Sequence, residues 1–116
     1  MTRNTKFKAW DKKKRAFVFE GTIADIIRAA GKLNGRTMEW LESPGLQDKH
    51  QKAIYDGDIL KYHNGRLSNP IEFPKDYVWL ATRIESVEQG DWTMAVAVVG
   101  NMYENPELLQ EKAAVT

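Results

Sequence analysis

The apolar positions change period several times along the chain. Lys6-Phe7-Lys8-Ala9-Trp10 alternates, with Phe7 and Ala9 on one face. Ala16-Phe17-Val18-Phe19-Glu20 alternates again, with Phe17 and Phe19 together. The polar stretch between them, Asp11 to Arg15, is short enough to link a hairpin. From Thr22 the period becomes helical, because Ile23, Ile26, Ile27 and Ala30 fall on one stripe. Thr22 and Asp25 are spaced for a capping-box bond and Gly31 suits a left-handed exit, so a helix is expected over 22–30. So short a helix does not persist alone in water, and its isoleucines are expected to dock on the sheet.

Arg36 to Leu41 reads as a short strand, with Met38 and Trp40 sharing a face. After a polar link over 43–52, the Asp56-Gly57 turn leads into a strand over 58–63, which Asn64-Gly65 ends. Pro70 and Pro74 make 67–75 irregular. Val78, Leu80, Thr82 and Ile84 alternate, which predicts a strand over 77–84. Trp92 to Val99 is apolar on both faces and is expected to be the most central strand. Gly100-Asn101 ends it. Asn105 as cap and Pro106 at the first helical position start a helix over 106–112, beyond which 113–116 should fray. The expected buried set is Phe17, Phe19, Ile26, Leu60, Tyr62, Leu80, Met94, Val96 and Val98. Together these elements predict one domain over 1–116. Its class is α+β and β-rich: a bent antiparallel sheet, or a small partly open β-barrel, with two short helices.

Composition narrows the functional classes. The chain has 116 residues, enough for one core and not two. Charged residues are 28%, which excludes a disordered acidic or basic tail. There is no Cys, so disulfides, thiolate metal sites and a cysteine nucleophile are excluded. No apolar run approaches the ~18 residues of a membrane span, and no apolar stretch marks a signal peptide, so the expected compartment is the cytoplasm. The net charge of +1 hides a split. Residues 1–40 carry ten Lys/Arg and four Asp/Glu, net +6, and residues 41–116 carry seven and twelve, net −5. Such a chain is either surrounded by solvated charge, or docks on a partner, or associates head to tail with a second copy.

The candidate chemistry is sparse. Asp48, Asp56, Asp58, His50 and His63 have the side chains of a metal site. Their spacing matches no calcium loop, and an Asp in an Asp-Gly turn ordinarily bonds its own backbone, so turn residues are expected and no metal or cofactor. Lys12-Lys13-Lys14-Arg15 is the sharpest electrostatic feature. With Trp10 as a stacking surface the tip is a candidate grip for nucleic-acid phosphates; its other reading is a solvated turn that blocks edge pairing. The acidic remainder of the chain weighs against a broad nucleic-acid surface. No nucleophile elbow or phosphate loop is present, so an enzyme is not expected.

Three blocks, in order, resemble the YopX family of phage and prophage proteins. They are Lys6-Phe7-Lys8-Ala9-Trp10-Asp11; Gly45-Leu46-Gln47-Asp48-Lys49 with Ile54-Tyr55-Asp56-Gly57-Asp58-Ile59-Leu60; and Val99-Gly100-Asn101-Met102-Tyr103-Glu104-Asn105-Pro106-Glu107-Leu108-Leu109. His50-Gln51-Lys52-Ala53 departs from the family pattern. The resemblance implies a β-rich phage accessory protein with no assigned catalytic residues. It makes Gly45, Asp48, Tyr55, Gly57, Asp58, Gly100, Asn101, Tyr103, Asn105 and Pro106 family-motif positions, expected to be structural. Gly57 is expected at positive φ, Tyr55 packed with its hydroxyl anchored, and Asn101 at a strand exit. The expected action is on a protein partner, in host takeover or counter-defence, in preference to nucleic acid and with no membrane.

Overall fold

The computed structural model describes residues 5–29 and 38–110. Strands β1 (Lys6–Asp11) and β2 (Ala16–Gly21) form the expected hairpin, with a bulge between Ala9 and Trp10. Helix α1 is Ile23–Ala29 and strand β3 is Met38–Ser43. β3 pairs antiparallel with β1, giving a first sheet of order β2-β1-β3. Strands β4 (Asp58–Tyr62) and β5 (Val96–Asn101) form a second antiparallel sheet, bulged between Ile59 and Leu60. Helix α2 (Tyr77–Glu88) and a 3-10 turn (Trp92–Met94) lie between them in sequence, and residues 107–110 are helical. The class is α+β and β-rich, as expected. The strands make two separate sheets that do not close into a barrel.

The capping box forms: Thr22 N–H donates to Asp25 Oδ2 at 2.9 Å and Asp25 N–H to Thr22 Oγ1 at 3.4 Å. The docking of α1 does not follow the stripe. Ile26 is half-buried, but Ile23 and Ile27 are exposed, Ile27 at 71%. Ala30, Gly31, Arg36, Thr37 and the segment from 111 onward lie outside the described residues.

Two strand expectations are corrected. Residues 77–84 are helical, and the physical reason lies in a second periodicity. Leu80, Ile84 and Val87 recur at helical spacing and face inward, whereas Val78, alternation partner of Leu80, is 74% exposed. The structure therefore has a longer helix beyond the two expected. Residues 92–94 form the 3-10 turn because the Asp91 carboxylate accepts from Thr93 N–H and Oγ1–H, which leaves β5 to begin at Val96. β5 pairs with β4 alone and is not a central strand.

The main core joins Ile54, Leu60, Ile71, Leu80 and Val96, with Leu46, Tyr62, Phe73, Ile84 and Val98 partly buried around it. Of the expected buried set, Leu60, Leu80 and Val96 are buried and the other six are half-buried. Val96→Ala is expected to cost about 1–3 kcal/mol and Val98→Ala less, since the first empties a closed site and the second a half-open one. Urea unfolding of the pair measures the ordering, and equal losses would contradict this core.

Candidate functional site

The family-motif positions come together where the first sheet meets the second. Trp10 packs edge-on to Phe17 at 4.9 Å between ring centroids and tilted on Tyr103 at 5.5 Å. Tyr103 sits over Gly57, which has φ +84°; a Cβ there would stand 2.8 Å from Tyr103 Cε2. Tyr55 is fully buried and its hydroxyl donates to Glu20 Oε2 at 2.8 Å. Burial, then the Glu20 bond, raise its phenol above the usual range. Asp48 ties the 48–52 turn to β5: Oδ1 accepts from His50 and Lys52 N–H at 2.8 and 2.9 Å, and Oδ2 from Val98 N–H at 2.9 Å. Gly45, at φ +100°, begins that segment.

Asn101 closes β5, its Oδ1 accepting from Tyr103 and Glu104 N–H at 3.0 and 2.8 Å. The expected side-chain cap by Asn105 is corrected. Its Oδ1 turns back to accept from Asn101 N–H at 3.2 Å; toward the helical residues its backbone carbonyl accepts from Leu108 N–H and its Nδ2–H donates to Glu107 Oε1 at 3.4 Å. Gly100 makes room for that turn, since a Cβ there would lie 2.6 Å from Asn105 Oδ1. Pro106 stands exposed before the helical residues 107–110. These motif positions thus fix the C-terminal segment on the N-terminal hairpin.

The acids named as metal candidates are engaged by backbone. Asp56 accepts from Phe73 N–H at 2.6 Å and Glu42 N–H at 3.3 Å. Asp58 Oδ2 accepts from Tyr55 N–H at 2.8 Å. His63 stacks edge-on against Trp92 at 4.6 Å, and His50 is exposed. Among the described residues no group of three or more such side chains is arranged for a metal ion.

A polar cleft of about 210 Å³ opens beside Asp58, walled by Lys8, Lys52, Asn101, Glu104 and Asn105. Burial pushes the Asp58 carboxyl up to about 6, against the Tyr55 N–H bond and the charges of Lys8 and Lys52. Asp58 is protonated in both states well below its ordinary 3.8, so it contributes no pH slope there. From 3.8 to about 6 the unfolded chain ionises while the folded chain resists, and stability falls as pH rises. Asp58→Asn is expected to gain on wild type across that window, by about 3 kcal/mol at pH 7.5 relative to pH 3.5. Denaturant curves of both proteins against pH measure the difference; a gap that stays constant would contradict it.

The basic tip is an exposed turn held by Asp11 and Glu39. Asp11 Oδ1 accepts from Lys13 and Lys14 N–H at 2.9 and 3.0 Å. Lys12 pairs with Glu39 at 3.3 Å, and Arg15 has φ +54°. Lys13, Lys14 and Arg15 are exposed. Trp10 is not available to stack on a base: it is 7% exposed and packed against Phe17 and Tyr103.

A different surface collects the exposed aromatics. Trp79 and Arg83, one turn apart on α2, face Tyr62 of β4. The Trp79 and Tyr62 rings meet edge-on at 6.2 Å, and Arg83 Cζ lies 5.0 Å from the Tyr62 centroid and 5.6 Å from that of Trp79. Beside Tyr62 in sequence, His63 carries Trp92, which is 64% exposed. Val78, next to Trp79 in sequence, is exposed, while Tyr77 lies on another flank of α2 against Phe73. Trp, Tyr and Arg are the side chains most enriched in binding hot spots, because they combine large apolar area with a polar handle.

A sequence model of the family described as YopX protein matches residues 6–110. The chain belongs to the YopX family. Its fold is similar to that of protein EF1440 from Enterococcus faecalis, known from a crystal structure, at 19% identity and TM-score 0.54 over 93% of this chain and 99% of that one. No curated protein matches. Among the described residues, no helix of this YopX-family chain is long and apolar enough to cross a membrane. Sequence reasoning missed the surface of Tyr62, Trp79, Arg83 and Trp92 by reading 77–84 as a strand. The signal that finds it is the recurrence of Leu80, Ile84 and Val87, which fits a helix and not a strand and so sets Trp79 and Arg83 one helical turn apart.

Proposed function

We propose that this YopX-family chain is a non-enzymatic accessory protein of phage or prophage, acting in the host cytoplasm by binding a protein partner through the Tyr62–Trp79–Arg83–Trp92 surface. The exposed aromatic strip on α2 and β4 carries the proposal. An apolar surface of this kind on a small domain is a contact waiting for a partner. The polar cleft beside Asp58 is lined by no serine or histidine, so it holds no Ser-His nucleophile pair. The charge split, +6 over 1–40 and −5 over 41–116, adds steering to the encounter, whether the partner is a host protein or a second copy.

Affinity purification from infected host cells tests the proposal with two variants. Trp79→Ala combined with Trp92→Ala is expected to lose the partner while keeping the fold, because both rings are substantially exposed. Charge reversal of Lys12, Lys13, Lys14 and Arg15 is expected to slow association at low salt and leave the complex intact. If the aromatic variant binds as wild type does and the tip variant loses the partner, the tip is the docking face. Steep salt-dependent retention of wild type on DNA or RNA, lost on charge reversal, would establish the nucleic-acid alternative.

A further inference from the structure

We infer that the Arg83 guanidinium receives a carboxylate of the partner, presented by a short acidic segment with apolar neighbours. This deepens the protein-binding proposal and rests on it. Arg83 is held against the Tyr62 and Trp79 rings, which fixes the direction of its planar fork. Its Nε–H is buried and has no acceptor. The ion pairs among the described residues are Lys12–Glu39, Arg28–Asp25 and Lys75–Glu72, and none involves Arg83. Asp76 acts on Tyr62 through its charge, yet its Oδ2 accepts from Glu72 N–H at 2.9 Å.

A partly desolvated guanidinium with unanswered donors is costly, and ring stacking answers its charge but not its N–H groups. A carboxylate from outside answers the charge and the outer N–H groups, in the two-pronged geometry that suits Arg. The ligand class follows from the surroundings. Residues 41–116 carry net −5, so a polyanion such as a nucleic acid or a phosphorylated tail is repelled, whereas one carboxylate is matched by one cation. Trp79, stacked beside Arg83 and partly exposed, favours an apolar side chain next to that acid.

Selection from a displayed library of random 16-residue peptides tests this on the full chain. Wild type is expected to enrich peptides with a single Asp or Glu among Leu, Phe or Met. Exchange of that acid for its amide in a synthesised winner should weaken binding about tenfold or more. Against Arg83→Gln the acid and amide peptides should bind within about twofold of each other. Arg83→Met, which keeps the stem on the rings, repeats the comparison should Arg83→Gln fail to fold. If the winners bind in a way that Trp79→Ala abolishes but show no preference for acid, the carboxylate inference fails and the aromatic surface stands. If Trp79→Ala and Trp92→Ala leave the selection unchanged, or no peptide is enriched, both fail.

Discussion

Replacing Leu80 by Ala is expected to remove about 2–5 kcal/mol of stability, a large fraction of what a domain of this size has. Leu80 is fully buried against Ile54, Leu60, Ile71 and Val96, and it is the deepest anchor of α2. Truncation deletes three side-chain carbons from a site closed on the sheet side by Leu60 of β4 and Val96 of β5. Leu80→Met preserves the volume and should cost under about 1.5 kcal/mol. Val78→Ser provides the contrast that decides helix against strand. In a strand Val78 and Leu80 share a face and both substitutions hurt. In α2 Val78 faces out, so Val78→Ser should stay within about 0.5 kcal/mol. Guanidinium unfolding of the three variants reads the comparison, and a loss at Val78 matching that at Leu80 would contradict the helix. Because α2 also carries Trp79 and Arg83, Leu80→Ala should loosen the aromatic surface without touching it.

Gly57→Ala is expected to cost about 2–4 kcal/mol. Two separate effects add. At φ +84° an L side chain is strained, and the new Cβ would stand 2.8 Å from Tyr103 Cε2 and 3.3 Å from Met102 Cγ. Tyr103 cannot withdraw freely, because its ring lies on Trp10 and its N–H is held by Asn101. Gly65 separates the two effects: it has φ +88° with nothing within 4 Å, so Gly65→Ala should show the backbone strain alone, about 1 kcal/mol. Combining Gly57→Ala with Tyr103→Ala should recover the steric part, about 1 kcal/mol of coupling in a double-mutant cycle. Equal costs at Gly57 and Gly65 would show that Tyr103 does not rest on Gly57.

The hairpin, the α1 cap, the 56–57 turn and the Asn64-Gly65 turn were legible because each depends on neighbours in sequence. Asp11, Thr22 and Asn64 all bond backbone within a few residues. Residues 77–88 were not legible from alternation, since Val78-Leu80-Thr82-Ile84 satisfies period two while Leu80-Ile84-Val87 satisfies the helical period. Only packing on Ile54 and Leu60 chooses between them. The division into two sheets was hidden for the same reason: β1 to β3 and β4 to β5 are long-range pairings that local pattern does not encode. The motif positions were found because the family resemblance marked them. Their convergence on Tyr103 and Trp10 is a long-range contact that local pattern does not encode, and the turning of Asn105 toward Asn101 depends on the room at Gly100.

Site-specific photocrosslinking in infected host cells tests most directly whether the α2 face is the binding surface. A photoreactive side chain placed at Val78, exposed on α2 beside Trp79, should capture a discrete partner or a second copy of the chain. The same side chain at Lys14, exposed on the hairpin tip, should capture none. A discrete adduct at Lys14 with none at Val78 would contradict the assignment of the aromatic surface as the place where this protein acts.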